Sequence, residues 1–188
     1  PDGKTVASGG RDTAVRLWDT ASGNEKLHLK GHEKAVLSLA MSPDGKCMAS
    51  AGEDETVRFW DLSSGREKAK GLGHEEPVRS IAFSPDGKLL ASGGRDKRVF
   101  LWKVPTGEKV RELNRHEASV QSVAFSPDGT FLITGGYGGQ VRLFEVATGE
   151  EIARVSGHDG PVHALAFSTD GTRFASGSQD FTVRLWTL

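Results

Sequence analysis

The chain is poor in the residues that many chemistries require, and each shortage excludes something. Cys47 is the single cysteine, so no internal disulfide can form, and such usage fits a reducing compartment and predicts a cytoplasmic protein. No apolar run approaches the roughly 20 residues of a membrane-spanning helix; the longest, such as Val36 to Met41, is interrupted by serine. No segment carries a helical 3.6-residue period. Charge of one sign is also missing: 24 Lys and Arg stand against 25 Asp and Glu, a formal net charge of −1. General attraction to a phosphate backbone is therefore absent, and nucleic acid is an unfavoured partner. The local excess between Arg95 and His116, seven basic against three acidic residues, reads as a solvated face. There is no phosphate-cradling Gly-x-x-x-x-Gly-Lys loop, no Gly-x-Ser-x-Gly elbow and no metal-spaced His/Cys cluster. Neither a cofactor nor a metal is expected.

What the chain does have is repetition. Trp18, Trp60, Trp102, Phe144 and Trp186 recur every 42 residues, as do the aspartates of five Asp-Gly turns, Asp2, Asp44, Asp86, Asp128 and Asp170. A period of about 40 to 45 residues with strand-like content marks four strands per unit, because one unit cannot bury both faces and must stack on copies of itself. In the third unit the strands are expected at Val78 to Phe83, Lys88 to Ser92, Val99 to Trp102 and Lys109 to Leu113. Pro85-Asp86-Gly87 and Gly94-Arg95-Asp96 supply the tight turns between them. Glycine runs at the second turn, such as Ser8-Gly9-Gly10, are read as serving backbone conformation. Repeated radially, such antiparallel sheets make an all-β propeller. The expectation is one domain over residues 1–188, an incomplete ring of about five blades and 18 strands, with blades near 1–30, 31–72, 73–114, 115–156 and 157–188.

Gly31-His32, Gly73-His74 and Gly157-His158, with Trp18-Asp19 and Trp60-Asp61, give the chain its resemblance to the WD-repeat family of β-propellers, and the resemblance covers its whole length. One unit departs: Arg115-His116 replaces Gly-His, Gly138 replaces aspartate and Phe144 replaces tryptophan. Because the chain opens in the middle of a unit, it is expected to be the C-terminal part of a longer propeller, of seven blades by resemblance. Its terminal sheets would then be uncovered, and self-association of the isolated chain is expected.

Three units place histidine, serine, aspartate and tryptophan in one register: His32, Ser50, Asp54 and Trp60; His74, Ser92, Asp96 and Trp102; His158, Ser176, Asp180 and Trp186. Serine, histidine and aspartate invite a hydrolase reading. The fourth member argues against it. Indole only donates, hydroxyl and neutral imidazole each donate and accept, and carboxylate only accepts, so the four chain head to tail with every link used. The WD-repeat resemblance also implies a structural tetrad here, and no catalytic residue is assigned.

Specificity should lie where the copies disagree at outward positions. Two registers qualify: Arg11, Glu53, Arg95, Tyr137 and Gln179 before the turn aspartate, and Leu37, Arg79, Gln121 and His163 after the leading valine of the innermost strand. The resemblance implies that both open onto one face that grips a peptide or partner domain. The expected function is a non-catalytic protein-interaction scaffold. The alternatives are a sensor or regulatory propeller serving a catalytic or signalling domain outside this chain, nucleic-acid or phosphate binding through Arg79, Arg95, Lys97 and Arg98, and a hydrolase.

Overall fold

The computed structural model describes residues 2–113 and 115–188, and within them 18 strands form five antiparallel sheets. The first sheet holds β1 (Thr5–Gly9), β2 (Val15–Asp19) and β3 (Glu25–Leu29). The second holds β4 (Val36–Met41), β5 (Cys47–Gly52), β6 (Val57–Asp61) and β7 (Arg66–Gly71). The third holds β8 (Val78–Phe83), β9 (Leu89–Gly94), β10 (Val99–Lys103) and β11 (Glu108–Glu112). The fourth holds β12 (Val120–Phe125), β13 (Phe131–Gly136), β14 (Gln140–Glu145) and β15 (Glu151–Ser156), and the fifth β16 (Val162–Phe167), β17 (Arg173–Ser178) and β18 (Val183–Thr187). Every strand pairs only with its neighbours in sequence, so each sheet is a meander. Such pairing is what short connections of three to five residues permit. No described helix is long and apolar enough to cross a membrane.

The first turn of each unit is built by its own side chains. Ser84 Oγ donates to Asp86 at 2.7 Å while accepting from the Leu89 amide at 2.9 Å, and Asp86 accepts from the Lys88 amide at 3.0 Å. The same set recurs around Asp44, Asp128 and Asp170. At the second turn the left-handed residue follows the tetrad aspartate: Glu55, Lys97 and Phe181 have φ of 66°, 69° and 65°, and Gly139 takes the same conformation at 69° without a side-chain penalty.

Consecutive sheets bury apolar faces against each other, giving four core clusters in sequence along the arc. Val57 and Phe59 on the forward face of β6 meet Val78, Ile81, Leu90 and Phe100 of the third sheet, all at most 6% exposed. Val15 and Leu17 likewise cover Val36, Met48 and Trp60. Burying each such large side chain contributes roughly 1.5–3 kcal/mol, which is why stacking rather than any single sheet makes the fold stable. Strands β4, β8, β12 and β16 lie side by side as the inner strands. They are linked by Ser38 Oγ accepting from the Ile81 amide and Ser80 Oγ from the Val123 amide, both at 3.2 Å.

Two sequence expectations need correction. The second strand of the third unit runs Leu89–Gly94, past Ser92, because Gly93 and Gly94 still pair with Val99 and Val78. The glycines there do not serve an unusual backbone conformation, for Gly9, Gly52, Gly93 and Gly135 are not among the positive-φ residues. They are small because neighbours press on them. A Cβ on Gly9 would sit 2.6 Å from Val36 Cγ1 of the next sheet, on Gly93 2.5 Å from Val120 Cγ1, and on Gly135 2.9 Å from Val162 Cγ1. Val36, Val120 and Val162 are thus knobs for which the preceding blade keeps a glycine hole, whereas Val78 meets Ala51 in the same register.

Candidate functional site

Four β-bulges shape the inner strands. Register slips between Val36 and Ser38, Val78 and Ser80, Val120 and Ser122, and Val162 and Ala164, so Leu37, Arg79, Gln121 and His163 are the extra, unpaired residues. A bulge re-aims its side chain away from the ladder. At the same level the amides of Glu53, Arg95, Tyr137 and Gln179 donate to the carbonyls of Ala35, Pro77, Ser119 and Pro161, each at 2.9 Å. Both variable registers therefore meet at one end of each complete inner strand.

Between the third and fourth sheets they build a groove of about 420 Å³, lined by Arg79, Arg95, Gln121 and Tyr137 with Lys97, Glu76 and Glu117. Tyr137 is 58% exposed and meets the His163 ring edge-on at 6.5 Å between centroids. Arg95 Nε lies 4.0 Å from the Glu76 carboxylate, a loose pair that leaves the guanidinium largely available. Arg11, Leu37, Glu53 and Gln179 are outside the groove lining; Arg11, Glu53 and Gln179 are exposed and Leu37 half-buried.

The Ser, His, Asp and Trp residues meet in each of three sheets. Trp60 Nε1–H donates to Ser50 Oγ at 2.7 Å, Ser50 Oγ–H to His32 Nε2 at 2.7 Å, and His32 Nδ1–H to Asp54 at 2.9 Å. The carboxylate can only accept, which puts the imidazole hydrogen on Nδ1. Burial, opposed by the Asp54 charge, holds the His32 imidazolium pKa below its ordinary value. In the third sheet the distances are 2.7 Å from Trp102 to Ser92, 2.7 Å from Ser92 to His74 and 2.8 Å from His74 to Asp96. In the fifth they are 2.8 Å from Trp186 to Ser176, 2.7 Å from Ser176 to His158 and 2.8 Å from His158 to Asp180. Ser50, Ser92 and Ser176 are fully buried. Each hydroxyl lies between indole and imidazole with no path to a substrate.

The fourth sheet keeps only the middle link, His116 Nε2 to Thr134 Oγ1 at 2.8 Å. Its substitutions are sterically coupled. A Cβ on Gly31 would meet Trp60 Cη2 at 2.9 Å and one on Gly157 would meet Trp186 Cη2 at 3.2 Å. Phe144 is shorter than tryptophan, and Arg115 stands where those glycines do, its Nη2 donating to the Asp96 carbonyl at 3.3 Å.

A second periodic feature lies in the third and fourth strands. Arg16, Arg58 and Arg142 pair with the glutamate nine residues on, at 3.4 Å to Glu25, 2.6 Å to Glu67 and 3.3 Å to Glu151. In the third sheet both partners change together: Phe100 replaces arginine, Lys109 replaces glutamate, and the ammonium sits 4.5 Å over the ring. The constant spacing of nine was available in the sequence as a signal. Among the described residues no group of three or more His, Cys, Asp or Glu is gathered as a metal site. Cys47 is buried in β5, and burial raises its thiol pKa.

Meandering four-stranded sheets stacked through valine knobs and glycine holes, with Trp-Ser-His-Asp chains tying loop to strand, define a WD-repeat β-propeller. The family model of the echinoderm microtubule-associated protein second β-propeller matches residues 36–188, and that of the WD domain, G-beta repeat, matches residues 1–19. The chain belongs to the family of the echinoderm microtubule-associated protein second β-propeller. Local similarity extends to the transcriptional repressor rco-1 of Neurospora crassa, 44% identical over 43 residues, which cover 23% of this chain and 7% of that protein. Coronin-7 of Rattus norvegicus is 45% identical over 38 residues, 20% of this chain and 4% of that protein. The matches span less than a tenth of the length of these curated relatives.

Proposed function

We propose that this chain is a non-catalytic scaffold that holds a peptide or protein partner on the face where its bulges and second turns meet. The observation that carries this reading is the groove between the third and fourth sheets, in which Arg79, Arg95, Gln121 and Tyr137 converge from two variable registers on a framework of repeated turns. Arginine and tyrosine supply fork-shaped and amphipathic contacts, as hot-spot residues do. The groove's mixture of Arg79, Arg95 and Lys97 with Glu76 and Glu117 suits a protein surface better than a uniformly anionic backbone. The buried serines support a structural role for the tetrads, since a nucleophile must reach its substrate.

The matched family takes its description from microtubule-associated proteins, which makes tubulin the first partner to test. Affinity capture with the parent chain and with an Arg79→Ala, Arg95→Ala, Tyr137→Ala variant, both probed for tubulin and by mass spectrometry, decides the matter. The reading requires proteins that the parent retains and the triple variant loses while melting normally. An identical captured set would refute it.

The reading extends to self-association. Val183 and Leu185 of β18 occupy the register of Val57 and Phe59, yet both are 74% exposed, and Phe181 beside them is 99% exposed. A surface of that kind, next to an unpaired strand edge, favours burial against another copy of the chain.

A further inference from the structure

The fourth sheet lacks one carboxylate and keeps the groups that hold it elsewhere. In the second, third and fifth sheets the turn aspartate accepts from the histidine Nδ1–H at 2.8–2.9 Å. It also accepts from the backbone N–H of the next residue, Glu33, Glu75 or Asp159, at 3.1–3.2 Å. Two convergent donors, one of them on a buried ring, form a carboxylate cradle.

In the fourth sheet Gly138 stands at the aspartate position. Among the described residues neither His116 Nδ1 nor the Glu117 amide has a hydrogen-bond partner. His116 is only 8% exposed and is fixed through Nε2 by Thr134. The Thr134 hydroxyl has no other acceptor among the described residues, so it donates to Nε2 and the imidazole hydrogen is on Nδ1. A Cβ on Gly138 would meet nothing within 4 Å, so the space where the aspartate side chain would begin is open. The carboxylate of Glu117 itself is drawn off to Arg154 at 3.0 Å and Arg142 at 3.7 Å. The charges of those two guanidiniums, each paired with Glu117 and Glu151, act on the ring. The two donors are free to be met by a carboxylate, which accepts from both as the aspartate does in the other sheets.

We propose that His116 Nδ1–H and the Glu117 amide form a receptor for a carboxylate supplied by an acidic peptide, through an aspartate or glutamate side chain or a free C-terminus. The site follows from the hydrogen bonds of the blade itself and does not depend on the reading of the groove, although Glu117 also lines the groove.

The test is a titration of the whole chain with sodium acetate at pH 7, followed by NMR of the His116 ring nitrogens and the Glu117 amide, with sodium chloride as control. Gly138→Asp fills the cradle from within, and Gly138→Ala changes the same residue without supplying a carboxylate. The expected result is a saturable shift of both signals in the parent and in Gly138→Ala, with no response to chloride. Gly138→Asp should start at the shifted positions and respond to nothing. A silent parent, or a Gly138→Asp variant that titrates like the parent, would overturn the site. Two probes then separate the sources: acetyl-Gly-Asp-Gly-amide offers a side-chain carboxylate and acetyl-Gly-Gly a terminal one. Tighter binding than acetate by either identifies the source. Binding of both no tighter than acetate would overturn the assignment to a peptide.

Discussion

Acid should weaken this protein through His116 in particular. Burial first, then the positive charges of Arg142 and Arg154, push its pKa down from the ordinary 6.5 to about 3. The folded state therefore resists a proton that the unfolded chain binds readily below pH 6.5. By linkage, stability is fully present above that pH and falls progressively as pH drops toward 3. At 1.36 kcal/mol per pKa unit, lowering the pH from 7 to 5 costs about 2 kcal/mol from this residue alone. Other groups also change charge over this interval, so the measurement is a difference. Urea unfolding of the parent and of His116→Gln, at pH 7 and pH 5 in phosphate buffer free of carboxylates, isolates the contribution. Glutamine keeps a polar end near Thr134 and has no proton to gain. The parent should lose about 2 kcal/mol more than the variant across that interval. Gly138→Asp should reduce the parent's loss as well, since a carboxylate against Nδ1 favours imidazolium. Equal losses in parent and His116→Gln would show that the ring is hydrated and ordinary, and would refute the reasoning.

Other expectations follow from the same geometry. His74→Ala leaves Ser92 and the Asp96 carboxylate, 1% exposed at its side chain, without their central partner, and should lower stability by about 1–3 kcal/mol in thermal or urea melts. If the variant melts like the parent, the network is not structural. Light scattering at micromolar concentration should show the parent chain associating, and Val183→Lys with Leu185→Lys should shift it toward monomer, because charges on an exposed sheet face oppose stacking. A parent that is already monomeric would mean that the terminal face is no docking surface.

Much of the architecture was legible because a repeat is its own alignment. A spacing of 42 and the Asp-Gly turns determine meandering sheets, and the head-to-tail polarity of Trp, Ser, His and Asp determines that these side chains can form a chain of hydrogen bonds whatever their distances. Position within a copy also told which residues vary. It could not tell why Leu37, Arg79, Gln121 and His163 point outward, since a bulge is an extra residue relative to a paired strand and exists only once the pairing does. Nor could it tell why Gly9, Gly93 and Gly135 are glycines: the atoms that forbid a side chain there belong to valines of the following sheet. The same holds for the fourth sheet. Gly138 reads in sequence as a lost residue, but whether its loss leaves a closed gap or an open cradle depends on the volume around it and on where Glu117 turns, and those are properties of packed blades.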